Sequence, residues 1–159
     1  MDSRNLGVKV TTSLRQGIFS TARYDEDGFR VRYESSTGGA VDNYIIKDKN
    51  IVLYDSYLNG GFGTLSIRFE YYPSRPNLPE LTPFKGRTSQ NLPSKRIQAS
   101  IGSVLHPIGD VFQENFYYEF DARGRVKRRI TYSYLLNPGW RYQTDNGGIG
   151  ITDYEYECP

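Results

Sequence analysis

The chain is 159 residues long, a length that fits one domain and would leave each of two marginal. Leu, Ile, Val and Phe make up 38 of those residues, above the range of disordered chains but lean for a deep interior. A net charge of +2 is too small to imply a nucleic-acid partner, which usually requires a concentrated basic patch.

No apolar run approaches the roughly 18 residues of a transmembrane helix. Met1-Asp2-Ser3-Arg4-Asn5 lacks the apolar core of a signal peptide, which leaves either a cytoplasmic chain or an exported one whose leader has been removed. The only cysteine, Cys158, excludes an internal disulfide and reads as a small apolar strand residue.

Apolar and polar residues alternate with period two almost throughout, and no stretch of ten residues has a helical period. From a start near Val8 to Cys158 the pattern predicts about nine to eleven antiparallel strands. Phe29-Arg30-Val31-Arg32-Tyr33 shows it first, then Leu65-Ser66-Ile67-Arg68-Phe69-Glu70-Tyr71. It recurs in Phe116-Tyr117-Tyr118-Glu119-Phe120, Ile130-Thr131-Tyr132-Ser133-Tyr134 and Tyr154-Glu155-Tyr156-Glu157-Cys158. Turn signals separate them: Asp25-Glu26-Asp27-Gly28, Ser36-Thr37-Gly38-Gly39, Asp48-Lys49-Asn50, Asn59-Gly60-Gly61 and Asp121-Ala122-Arg123-Gly124. Such short connections favour an all-β meander within a single domain spanning residues 1–159. With 14 tyrosines in a lean core, the expected form is one strongly curved or partly closed, barrel-like sheet.

Five prolines between Pro73 and Pro93 break the pattern, and the expected structure there is an irregular excursion that joins no central strand. Pro73-x-x-Pro76-x-x-Pro79 allows a polyproline helix, but an irregular crossing that closes one end of the sheet is the simpler reading. Leu78, Leu81 and Phe84 would pin it.

Little in the chain resembles catalytic machinery. The sole histidine, His106, lies in a turn-like stretch with no Gly-x-Ser-x-Gly elbow, and one His with one Cys makes a zinc site improbable. Gly86-Arg87-Thr88 fails the phosphate-loop pattern, which requires Gly at position 81 and Lys at 87. Asp25-Glu26-Asp27-Gly28 lacks the spaced ligands of a calcium loop and reads as a hairpin. No cofactor or metal is expected. Glu70, Glu119, Glu155 and Glu157 read as wet-face residues, although spatial pairing of carboxylates for glycoside hydrolysis stays open.

Arginine outnumbers lysine, 14 to 6. Arg30, Arg32, Arg68, Arg125, Arg128 and Arg129 fall among tyrosines, either as ladders bracing a wet face or as an anionic ligand site. Trp140, in Asn137-Pro138-Gly139-Trp140-Arg141-Tyr142, is a carbohydrate platform or a loop anchor. The candidate ligand- or partner-binding residues are therefore Arg32, Arg68, Tyr118, Arg128, Tyr132, Trp140 and Tyr142.

Phe120-Asp121-Ala122-Arg123-Gly124-Arg125-Val126 resembles the aromatic-Asp-x-x-Gly-Arg hairpin of tyrosine–aspartate repeat proteins, and Tyr24-Asp25-Glu26-Asp27-Gly28 is a second copy up to the glycine. Gly86-Arg87-Thr88-Ser89-Gln90-Asn91-Leu92-Pro93-Ser94-Lys95 is similar to a Gly-Lys-Thr-Ser-x-Asn-Leu-Pro stretch in a family of uncharacterised exported lipoproteins of Bacteroides-type gut bacteria with a porin-like fold. Tyr154-Glu155-Tyr156-Glu157-Cys158 matches that family's Tyr-x-Tyr-x-Cys ending. The resemblance spans about Tyr24 to Cys158 and implies an exported β-protein, periplasmic or anchored at the outer membrane by a lipidated cysteine upstream of Met1. It implies no activity and transfers no functional residue. The expectation is a non-enzymatic extracytoplasmic module of the cell envelope that binds an envelope protein or a glycan. The alternatives are a carbohydrate-active hydrolase with converging carboxylates and a scaffold subunit of an outer-membrane complex.

Overall fold

The computed structural model describes residues 20–36, 39–58, 64–78, 86–101, 109–137 and 147–156. They form one antiparallel sheet of nine strands, paired in chain order. The strands are β1 (Ser20–Tyr24), β2 (Arg30–Ser35), β3 (Ala40–Lys47), β4 (Asn50–Leu58), β5 (Thr64–Pro76), β6 (Asn91–Ile101), β7 (Val111–Phe120), β8 (Val126–Asn137) and β9 (Gly148–Asp153). The meander follows from the alternation and the short turns. The sheet is not closed: among the described residues nothing pairs β1 with β9, so both are edges. Val8, His106 and Cys158 lie outside the described residues, as do Leu81 and Phe84.

Direct cross-strand pairs place Tyr33, Asp42, Ser56 and Leu65 in one row, and Tyr44, Tyr54, Ile67, Gln98 and Phe112 in the next. These rows belong to one face, here the tyrosine face. Arg32, Asn43, Asp55 and Ser66 share the other. The buried apolar residues Phe29, Leu92, Phe116 and Val126 cluster toward the end of the sheet that carries the β1–β2, β3–β4 and β7–β8 turns. The opposite face stays wet, with Ile149 and Ile151 of β9 66% and 62% exposed.

The two Asp–Gly hairpins are built alike. Asp25 N–H donates to the Phe29 carbonyl and Gly28 N–H to the Asp25 carbonyl; Asp121 and Arg125, then Gly124 and Asp121, repeat both bonds. Gly28 and Gly124 adopt φ of 83° and 76°, the left-handed region that glycine enters without a Cβ penalty. Each turn is followed by a one-residue bulge, because Tyr24 opposes Arg30 and Phe120 opposes Val126. In the second hairpin Asp121 also accepts from the Arg123 and Arg125 amides and from Arg125 Nε.

Two expectations need correcting. The proline segment does enter central strands, since β5 continues through Pro76 and β6 starts at Asn91. Pro73 is tolerated because residues 72–75 bulge out between the Tyr71–Pro93 and Pro76–Asn91 pairs, where no ladder N–H is required. Tyr154 to Cys158, expected to be a strand, is not one within the described residues: β9 ends at Asp153. One further bond joins the Tyr154 amide to the Lys127 carbonyl, and Tyr156 then folds its ring onto the Arg125 guanidinium, 4.4 Å away.

Tyrosine hydroxyls extend the sheet where its ladders stop. The β6–β7 ladder ends at Lys95–Asn115, and beyond it Tyr118 donates to the Pro93 carbonyl and Tyr72 to that of Phe116. The β8–β9 ladder ends at Arg128–Asp153, and beyond it Tyr156 donates to the Val126 carbonyl. An orphaned buried carbonyl is costly, so these phenols replace missing strand neighbours.

Candidate functional site

The β4–β5 ladder stops at Leu53–Arg68, and the two strands part toward the turn end. Into this gap runs the segment of residues 86–90 that leads into β6. Its Arg87 amide donates to the Gly28 carbonyl of the β1–β2 turn, and its Gln90 amide to the Lys49 carbonyl of the β3–β4 turn. Asn77 seals it from the β5 side, its backbone N–H donating to the Gln90 carbonyl and its amide side chain to that of Ser89. The strap so formed roofs a cavity of about 360 Å³, within the size range of small-molecule sites.

The walls come from the tyrosine face. Tyr44 and Tyr54 are direct partners with ring centroids 5.1 Å apart, and Phe69 and Tyr71 stand beside them at 6.3 Å from each other. Three further lining residues reach this face through bulges. The pairs Arg23–Arg32 and Tyr24–Arg30 leave Val31 unmatched, which turns Arg30 away from the face Arg32 occupies. Val52 does the same for Ile51, and Ser94 for Pro93. A single inserted residue reverses the side on which the chain beyond it points.

Arg30 is the central polar residue. Its guanidinium lies 5.3 Å from the Tyr33 ring and 4.9 Å from the Tyr44 ring, and Nη2 donates to the Tyr44 hydroxyl at 2.6 Å. Its Nε is buried and has no hydrogen-bond partner among the described residues. The described lining residues include a second cation, the exposed Arg87, and no carboxylate. Burial raises the hydroxyl pKa values of Tyr44, Tyr54 and Tyr71; for Tyr44 the Arg30 charge pulls the other way, and for Tyr71 the Ser89 hydrogen bond does. All three phenols are therefore neutral hydrogen-bonding groups at ordinary pH.

Asp42 and Glu114, carboxylates on this face, are not among the lining residues. Asp42 accepts from Tyr54 and Ser56, and Glu114 faces Arg96 at 3.1 Å. They sit on β3 and β7, with β4, β5 and β6 between them.

The described residues among those singled out in the sequence are not gathered into one site. Arg32 lies on the opposite face, paired with Glu34 and Asn43. Arg68 is exposed on that face between Leu53 and Ile97. Arg128 is held there by Asp153 and Glu119, and Tyr132 packs edge-on against Tyr117. Tyr118 is on the tyrosine face, but its hydroxyl is committed to Pro93, and burial pushes its pKa far up. Trp140 and Tyr142 lie outside the described residues.

Compared with family models, curated proteins and solved structures, the chain has no significant match in any of the three.

Proposed function

We propose that the chain is a non-enzymatic binding module of the bacterial cell envelope, held outside the cytoplasm, and that the cavity under the strap takes a glycan. The observation that carries this reading is the cavity wall: four aromatic rings around Arg30, with no carboxylate among the described lining residues. Aromatic faces cover the apolar C–H faces of sugar rings, while a few fixed donors orient the hydroxyls. The Tyr44 hydroxyl accepts from Arg30 and keeps its own proton for a ligand. The assignment to the envelope rests on the lipoprotein-like strap and closing motifs.

Calorimetric titration of a panel of neutral and acidic oligosaccharides tests the site. Binding that weakens by about tenfold or more in Tyr44→Ala and Tyr54→Ala, with circular dichroism unchanged, supports it. Equal affinity in wild type and both variants, or no binding across the panel, overturns it. Fractionation of the host cells with an antibody to the chain tests the compartment: recovery with the envelope supports it, and recovery in the cytoplasm contradicts it.

A further inference from the structure

Resting on that reading of the cavity, we infer that its ligand is an acidic sugar of the uronic acid type, and that Arg30 binds the carboxylate. Four of the described arginines have a counter-charge: Arg32 has Glu34, Arg96 has Glu114, Arg125 has Asp121, and Arg128 has Glu119 and Asp153. Arg30 forms no ion pair among the described residues, and it lines the cavity with its Nε buried and without a hydrogen-bond partner. Asp42, on the same face, is engaged by Tyr54 and Ser56. Arg30 is half-buried with its Nε shielded from solvent, and a partly desolvated charge without a facing acid is costly. A ligand carboxylate beside the guanidinium supplies both the missing charge and an acceptor for Nε.

Three features favour a carboxylate on a sugar ring. The guanidinium is held against two tyrosine rings and tied to the Tyr44 hydroxyl, so its planar fork is already oriented for bidentate pairing. The lining groups with protons to spare, the two arginines and the Tyr44 hydroxyl, are donors and match an acceptor-rich ligand. Arg87 adds a second positive charge that draws anions toward the cavity.

The test compares trigalacturonate with its fully methyl-esterified form, which has the same ring skeleton without the charge, by calorimetry at pH 7. Wild type is expected to bind the acid about tenfold or more tighter than the ester. In Arg30→Gln that preference should shrink to less than about threefold, whereas Arg32→Gln, on the opposite face, should keep it. The wild-type comparison stands even where Arg30→Gln fails to fold. Equal affinity for acid and ester overturns the carboxylate inference and leaves the glycan site intact. A preference that survives in folded Arg30→Gln overturns the role of Arg30. Failure of both trimers while neutral glycans of the panel bind overturns the acidic ligand, and failure of every sugar overturns the site itself.

Discussion

The Tyr71 and Ser89 hydroxyl oxygens lie 2.7 Å apart, and their bond closes a ring around one residue of β4. Tyr71 gives its only proton to the Ile51 carbonyl at 2.6 Å, and Ser89 Oγ accepts the Ile51 amide at 2.9 Å. The bond between the two hydroxyls therefore runs from Ser89 to Tyr71. The β4–β5 ladder ends at Leu53, so these side chains replace the strand that Ile51 lacks. The gap that makes room for the cavity is thereby paired at its edge.

Removing one hydroxyl leaves an Ile51 backbone group unpaired. Tyr71→Phe and Ser89→Ala are each expected to cost about 1–3 kcal/mol in urea denaturation. The double variant should cost clearly less than their sum, because both act on one ring. Strict additivity would show that the ring is not a unit.

Two glycines with nearly the same φ separate strain from crowding. At Gly124 (φ 76°) a Cβ meets nothing within 4 Å, so Gly124→Ala should cost about 1–2 kcal/mol from the left-handed conformation alone. At Gly86 (φ 84°) a Cβ would lie 2.7 Å from a Tyr24 ring carbon and 3.2 Å from the Arg30 amide. Gly86→Ala should cost more than Gly124→Ala and should also weaken glycan binding, since it displaces the strap from Arg30. Equal costs and unchanged binding would contradict the placement of the strap.

Stability should fall at both ends of the pH scale for different reasons. Burial raises the pKa values of Tyr44, Tyr54, Tyr71 and Tyr118, so their contribution is complete below the ordinary phenol value of about 10 and is lost as the pH climbs past it. Asp121 is lowered chiefly by the hydrogen bond from the Arg125 amide, and Asp153 by that from the Arg128 side chain. Their contribution is complete above the ordinary carboxylate value of about 4 and is lost as the pH falls through their lowered values. Urea midpoints measured from pH 2 to 12 should be flat in the middle, and the alkaline fall should shift in Tyr71→Phe. A midpoint that rises above pH 10 would contradict the buried phenols.

The meander was legible because period-two alternation survives in nearly every strand and because Asp-x-x-Gly turns have few backbone solutions. The cavity was not, because bulges preserve the look of alternation while changing its parity. Phe29-Arg30-Val31-Arg32-Tyr33 reads as two arginines on one face, yet unmatched Val31 sends Arg30 to the tyrosines and leaves Arg32 with Glu34. A signal for it existed: Asp25 to Gly28 repeats the Asp121 to Gly124 turn, and both hairpins carry the same bulge one step later. The strap was readable as an irregular crossing, but its contacts with Gly28, Lys49 and Ile51 are separated by dozens of residues and leave no local pattern. Tyrosine abundance likewise pointed to a thin core, whereas four of those phenols serve as substitutes for missing strand partners.

The most direct test of a ligand site under the strap is a two-dimensional amide NMR titration of the chain with trigalacturonate and with a neutral trisaccharide that binds. The expected result is a set of shifts confined to Arg30, Tyr44, Ile51, Tyr71 and residues 86–89, abolished in Tyr44→Ala. Shifts centred on Arg68, Arg128 and Tyr132 of the opposite face, with residues 86–89 unmoved, would contradict it.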